Sequence, residues 1–189
     1  MHVDVKKSRI PGCYELLPLV RCDARGTFVK TFHRDQFEKL GLETDFAEEY
    51  YSVSTKGVLR GLHFQIPPHD HIKIVYCVDG EVLDVVLDLR VSSPTYGQFE
   101  VFNLNSDNAN MIYIPKGMAH GFYVRSEKAT LLYKVSTVYS NEHDSGILWN
   151  SVGIPWPTAA PVVSSRDDNF ITFDNFISPF VFDKGECNE

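Results

Sequence analysis

The sequence predicts an all-β fold, an antiparallel sandwich or barrel, and three observations carry that expectation. Glu81–Arg90 alternates with period two, with Leu83, Val85, Leu87 and Leu89 on one face and Val82, Asp84, Val86 and Asp88 on the other. It therefore reads as a strand with one apolar and one mixed face. Several short segments of the same kind succeed one another with turn residues between them. Only one stretch has a helical pattern.

In chain order that helix comes first. Asp35–Gly41 offers Asp35 as N-cap, Glu38 three residues on and Gly41 as a stop, enough for about two turns. Strands are expected at Val58–Gln65, His71–Val78, Glu81–Arg90, Gln98–Leu104, Asn110–Ile114, Ala119–Val124 and Leu131–Tyr139. Turn material separates them: Pro67-Pro68-His69-Asp70, Asp79-Gly80, Ser92-Ser93-Pro94, Asn105–Asn108, Lys116-Gly117 and Ser126-Glu127. After about Pro157 the alternation is lost, and the aromatic-rich Phe170–Phe182 reads as an extended flank packed on the barrel. The expected organisation is one domain over residues 1–189, with its barrel core at about 45–140.

Composition excludes several classes. A chain of 189 residues, 43% hydrophobic and 23% charged, can bury a core without disulfide or metal staples and is not a disordered protein. Its 18 Lys plus Arg against 25 Asp plus Glu give a formal charge of −7, which leaves no overall footprint for nucleic acid or an anionic membrane. The opening MHVDVKKSRIPGCYEL has no apolar run of the secretory kind, and no stretch is long enough to span a bilayer, so a cytoplasmic protein is expected. Cys13, Cys22, Cys77 and Cys187 lack paired short spacings and are expected to be reduced thiols.

Reactive side chains concentrate in Arg60-Gly-Leu-His-Phe-Gln65 and in His69-Asp-His-Ile-Lys73. If these were two strands of a hairpin around Pro67-Pro68, His63 and Gln65 would share a face, as would His71 and Lys73, placing a base and an ammonium in one interior. A core histidine and a solvent-facing lysine are the alternative that spacing leaves open. Pro115, Gly117 and His120 have the spacing of the second conserved motif of cupin barrels. The first cupin motif is only half present: His69 and His71 are not followed by a glutamate, and Lys73 stands where a further ligand would be needed. A cation beside an ammonium is unfavourable, so no metal site is expected, although His63, His69, His71 and His120 keep a metal-dependent cupin oxygenase or isomerase as an alternative. Tyr133 and Tyr139 are an even number of residues apart and would share a face of one regular strand. Asp167 or its neighbour Asp168 could orient a histidine, and Arg25 and Arg60 could grip phosphate.

Together these motifs resemble the dTDP-4-dehydrorhamnose 3,5-epimerase family. The resemblance rests on Arg60-Gly-Leu-His-Phe-Gln65, Lys73, Gly80-Glu-Val-x-Asp-Val-Val-x-Asp-Leu-Arg90, Ser93-Pro-Thr-Tyr-Gly97 and Ile114-Pro-x-Gly-x-Ala-His-Gly-Phe122. Leu132-Tyr-Lys134, Gly146-Ile-x-Trp149 and Gly153-Ile-x-Trp-Pro157 extend it, in order, over roughly Asp23 to Asp167. It implies a cupin-type antiparallel β barrel, or jelly roll, with short flanking helices, usually a homodimer, needing neither metal nor organic cofactor. It also implies epimerisation of a nucleotide-diphosphate 4-keto-6-deoxyhexose at carbons 3 and 5. By the same resemblance His63 is the general base, Asp167 its carboxylate partner, Lys73 the enolate-stabilising cation and Tyr133 the acid on the opposite face. Arg25, Arg60, His120, Tyr139 and Gln65 would hold pyrophosphate and sugar.

The chain departs from the family where the nucleotide would be read. After Arg25-Gly26 the family usually shows two aromatics, any residue and Glu, but here Lys30 takes the glutamate position. Before Ser52 it usually shows Gln-x-Asn-His, but here Glu48-Glu49-Tyr50-Tyr51 stands. Lys30 and Glu48 could form a surface ion pair, or they could meet a base other than thymine. A single-carbon epimerase acting on a CDP- or GDP-linked sugar is thus the nearest alternative.

Overall fold

The computed structural model describes residues 2–183; Cys187 lies outside them. Among the described residues are thirteen strands and one α-helix: β1 (Val3–Lys7), β2 (Tyr14–Pro18), β3 (Val20–Asp23), β4 (Gly26–Val29), α1 (Arg34–Lys39), β5 (Glu48–Thr55), β6 (Leu59–Gln65) and β7 (Lys73–Asp79). They continue with β8 (Glu81–Asp88), β9 (Phe99–Asn105), β10 (Met111–Ile114), β11 (Met118–Val124), β12 (Lys128–Val135) and β13 (Asp144–Gly146). Two antiparallel sheets face each other, one in the order β1-β2-β10-β7-β12-β5 and one in the order β13-β6-β11-β8-β9. The hairpin β3–β4 stands apart as its own small sheet. This is the antiparallel jelly roll that the alternation and the resemblance predicted.

The central strands of both sheets are covered on both faces, which explains why their apolar patterns are so strong. Between the sheets pack Val75 and Cys77 of β7, Val82 and Val86 of β8, Ile112, Phe122 and Leu131. The outer face of the five-stranded sheet, with Leu83, Val85 and Leu87, is roofed by the tail through Phe173, Phe176 and Phe180. The outer face of the six-stranded sheet packs Leu16, Ile74, Tyr76 and Met111 against Phe37 of α1. Short parallel bridges at Val58–Val162, Ile147–Ile171 and Val91–Val181 stitch the tail to the barrel. The mixed face of β8 therefore points inward: Asp84 and Asp88 are both fully buried. Asp88 is neutralised by Arg90 at 2.9 Å, with Ser93 and Thr95 donating to its other oxygen.

Four sequence expectations change. The helix begins at Arg34 with His33 as N-cap and no side-chain cap bond, so Asp35 sits in the first turn, where a negative charge suits the amide N–H groups. β12 ends at Val135, so Tyr139 is outside it and the even offset from Tyr133 does not govern its direction. Residues 60–65 and 73 do not form a hairpin: β6 and β7 lie in different sheets and confront each other across the interior. Finally, β1 to β5 had no counterpart in the alternation. β5 is a sheet edge with most side chains exposed on both faces, and such a strand has no reason to alternate.

A bulge in β6 sets up the site. β11 pairs His120 with His63 but Phe122 with Arg60, so two steps on β11 match three on β6. Three residues along a regular strand lead to the opposite face, and the extra residue at Gly61-Leu62 resets the alternation so that Arg60 and His63 both reach the same cavity. Gly61 has φ +128°, and a Cβ there would lie 2.5 Å from Gly121 Cα. Gly61→Ala is expected to destabilise the protein by about 2–4 kcal/mol, measured by urea unfolding, because both the backbone conformation and the close approach of two strands oppose it.

Candidate active site

A cavity of about 360 Å³ opens between the sheets. One wall comes from the five-stranded sheet: Arg60, His63 and Gln65 of β6, and His120 of β11. The facing wall carries Lys73 of β7, Tyr133 of β12, and Glu48, Tyr50 and Ser52 of β5. Tyr139, Asp144 and Arg166 line it from loop, β13 and tail.

His63 Nε2 donates to Asp167 Oδ1 at 2.9 Å, which leaves Nδ1 as the basic nitrogen of the ring. Asp167 is 4% exposed, on a 3-10 turn of the tail, and its second oxygen accepts Gly61 N–H at 2.9 Å. Burial raises its pKa, but the bond from His63, the imidazole's charge and the Gly61 N–H outweigh burial and hold the carboxyl below its ordinary value. Asp168 turns instead to the Trp149 indole, whose Nε1 donates to it at 3.3 Å, so the geometry separates the two aspartates.

Lys73 is 7% exposed and, among the described residues, makes no ion pair. Burial brings its pKa down to about 8, against the opposing fields of Asp84 and Asp144. Across the cavity from His63, Tyr133 shares a hydrogen bond of 3.0 Å with Ser52 Oγ and stacks on Tyr50, ring centroids 4.8 Å apart. Burial pushes its phenol pKa well up, which keeps the proton on at neutral pH. His120 donates through Nε2 to the buried Asp84 at 2.7 Å, and burial drives its pKa down, favouring a neutral ring. His71 is also held neutral, brought to about 3 by burial and by the Lys73 and Lys116 charges.

The remaining expected residues divide. Arg60 reaches the cavity with Nε bonded to Ser54 Oγ at 3.0 Å. Gln65 is on the wall, but its amide braces loops, donating to His69 O and accepting from Ser140 N. Glu48 Oε2 accepts the Tyr139 N–H at 2.7 Å, and Tyr139 Oη donates to Asp144. Arg25 and Lys30 are not brought to the cavity of their own chain. Arg25 is exposed on the β3–β4 hairpin and engaged by Asp23 at 2.6 Å, while Lys30 is exposed just beyond it, so the ion pair with Glu48 does not form. A single-sequence reading could not see that the hairpin stands clear of its own sandwich.

Residues the sequence reading missed include the ion pair of Asp144 and Arg166 at 2.8 Å, together with Tyr50, Ser52 and Asp84. Arg166 had one signal, its place directly before Asp167. Tyr50 was visible only as a departure from the family. Among the described residues no group of three or more His, Cys, Asp or Glu is arranged to hold a metal ion.

This arrangement can remove a carbon-bound proton on one face, stabilise an oxyanion and return a proton on the other. Comparison with known proteins agrees. A family model described as dTDP-4-dehydrorhamnose 3,5-epimerase matches residues 7–175. The dTDP-4-dehydrorhamnose 3,5-epimerase of Shigella flexneri is 42% identical over 181 residues, covering 93% of this chain and 100% of the relative. The dTDP-4-dehydrorhamnose 3-epimerase of Streptomyces niveus is also 42% identical, over 85% of this chain and 79% of its own. Among solved structures, the dTDP-6-deoxy-D-glucose-3,5-epimerase of Legionella pneumophila, in complex with dTDP-4-keto-L-rhamnose, superposes with a TM-score of 0.91. It is 33% identical, with 96% of this chain and 100% of that chain covered. With the cupin-type barrel, the opposed imidazole and phenol, and this likeness along nearly its whole length, the chain belongs to the dTDP-4-dehydrorhamnose 3,5-epimerase family.

Proposed function

We propose that the chain inverts carbons 3 and 5 of dTDP-4-dehydro-6-deoxy-D-glucose to give dTDP-4-dehydro-L-rhamnose, by way of enolates. One observation supports this above all: His63 and Tyr133 lie on opposite sheets, facing one cavity, with Lys73 beside Tyr133's strand. Protons next to the C4 ketone are acidic because the carbanion delocalises onto oxygen. His63 Nδ1 takes the proton from one face, and Asp167 stabilises the imidazolium that results. The Lys73 ammonium meets the enolate oxygen as charge develops. Tyr133 then delivers its phenolic proton to the same carbon from the other face. Inversion follows from geometry, since removal and return occur at opposite walls.

Arg60 and Arg166 supply guanidinium groups for the pyrophosphate, and Tyr139 an exposed ring at the mouth for sugar or base. The protein acts as a homodimer in this reading. The hairpin with Arg25 and the 63%-exposed Phe28, and the edge strand with exposed Tyr51 and Val53, give a second copy its contact surface. Arg25 and Lys30 would then serve the partner's cavity.

Three measurements test the reading. His63→Ala and Tyr133→Phe are each expected to lower kcat by roughly 10³-fold or more while calorimetric affinity for dTDP changes little; full activity of either removes its assigned role. Turnover in heavy water, followed by NMR, should place deuterium at both C3 and C5. Label at one carbon alone would favour the activity named for the Streptomyces niveus relative. Because burial lowers the Lys73 pKa to about 8, its charge is lost as pH rises through that value. The rate should therefore fall on the alkaline side near pH 8 in a pH–rate profile, and Lys73→Ala should cost about 10²–10³ in kcat at neutral pH.

A further inference from the structure

Asp84 has no part in the proton transfers above, yet it is a fully buried carboxylate directly behind the cavity wall. Its Oδ2 accepts from His120 Nε2, while its Oδ1 is buried with no hydrogen-bond partner among the described residues. A carboxylate left half-bonded in a core is unfavourable, and an apolar residue of similar size would fill the same space without that penalty. Its charge therefore points to a use nearby.

Two groups of the site supply that use. His120 stands opposite His63 in the β11–β6 register, and its ring centroid is 6.3 Å from that of Tyr133, so it adjoins both the base and the acid. With Nε2 committed to Asp84, Nδ1 is the acceptor that a neutral His120 presents at the cavity. Lys73, on the facing sheet, is a buried ammonium with no carboxylate in ion-pair contact among the described residues, and Asp84 is the leading source of the negative field that opposes its discharge.

We infer that Asp84 is a positioning residue for the epimerisation: its carboxylate aims the His120 ring at the sugar and supplies the counter-charge for Lys73 across the two sheets. The inference rests on the assignment of Lys73 to the enolate oxygen. It makes the two histidine–aspartate pairs of the cavity distinct in kind. His63–Asp167 turns over protons, whereas His120–Asp84 takes no part in the transfer and holds its geometry.

The test is Asp84→Asn, which keeps the shape and an acceptor for His120 but removes the charge. The cavity around the Lys73 ammonium also holds Asp144 on β13, His71 just before β7, Arg60 and His63 on β6, His120 on β11, Tyr133 on β12, Glu48 and Tyr50 on β5, Tyr139 and Arg166, with Lys116 beyond His71. All of them remain in the variant. Loss of the negative charge makes the buried ammonium easier to discharge, so the alkaline limb of the kcat profile should move to lower pH. At neutral pH kcat should fall roughly 100-fold, with dTDP affinity unchanged. An unmoved limb, whether or not kcat falls, overturns the inference. Should the variant fail to fold, nitrogen-15 NMR of the wild-type imidazoles decides: His120 is expected with Nε2 protonated and Nδ1 bare, and the opposite tautomer refutes it. Lys73→Ala and His63→Ala keep the two readings apart. If both remain active, the roles assigned to Lys73 and His63 fail and the inference falls with them; if both are inactive while Asp84→Asn behaves as wild type, only the role of Asp84 falls.

Discussion

Ionisable groups buried between two β-sheets must be paired, neutral or employed, and that constraint organises this molecule. Lys73, Asp84, His120 and Asp167 are all under one-tenth exposed. Such groups are costly in an apolar interior unless hydrogen bonds or opposite charges compensate them. Here the compensation is uneven. Asp88 is closed off by Arg90, Ser93 and Thr95 and ties down the turn after β8, whereas Lys73 has no ion-pair partner among the described residues. The difference separates a structural charge from one held ready for a substrate.

The two-sheet architecture turns that uneven compensation into chemistry. Side chains on facing sheets can address the two faces of a planar enolate, which side chains on one sheet cannot. Strands also hold their side chains more rigidly than loops do, as a proton transfer over a short fixed distance requires. The flanks complete the wall: the tail brings Asp167 to His63 and Arg166 to Asp144, and Phe170 packs edge-on against the His63 ring. A segment with no alternation of its own thus decides how the base is aimed.

Much of this was legible along the chain. The alternation of Glu81–Arg90 and the turn clusters led to an antiparallel sandwich, and the seven expected strands correspond to β6 to β12 with boundaries displaced by a few residues. The strands β1 to β5 and β13 were not legible, and for the edge strand β5 exposure on both faces removes the periodic signal on which such a reading depends. His63, Lys73, His120 and Tyr133 were singled out and do meet in one cavity. Spacing alone does not give their relation: Lys73 faces His63 from the other sheet and does not stand beside it in a hairpin. Glu48 reaches the cavity, while Arg25 and Lys30 remain outside it on a hairpin that turns away.

By itself the sequence determined the local terms: which segments are strands, where turns break them, which residue types can move protons, and the family to which these motifs belong. Those properties depend on neighbours a few residues apart. The tertiary structure alone decided which aspartate meets which imidazole, that the mixed face of β8 points inward, and that the bulge at Gly61-Leu62 turns Arg60 and His63 to the same side. Each of these depends on contacts between segments distant in the chain. The partner of a buried charge is set by sheet order and register, which periodicity does not encode.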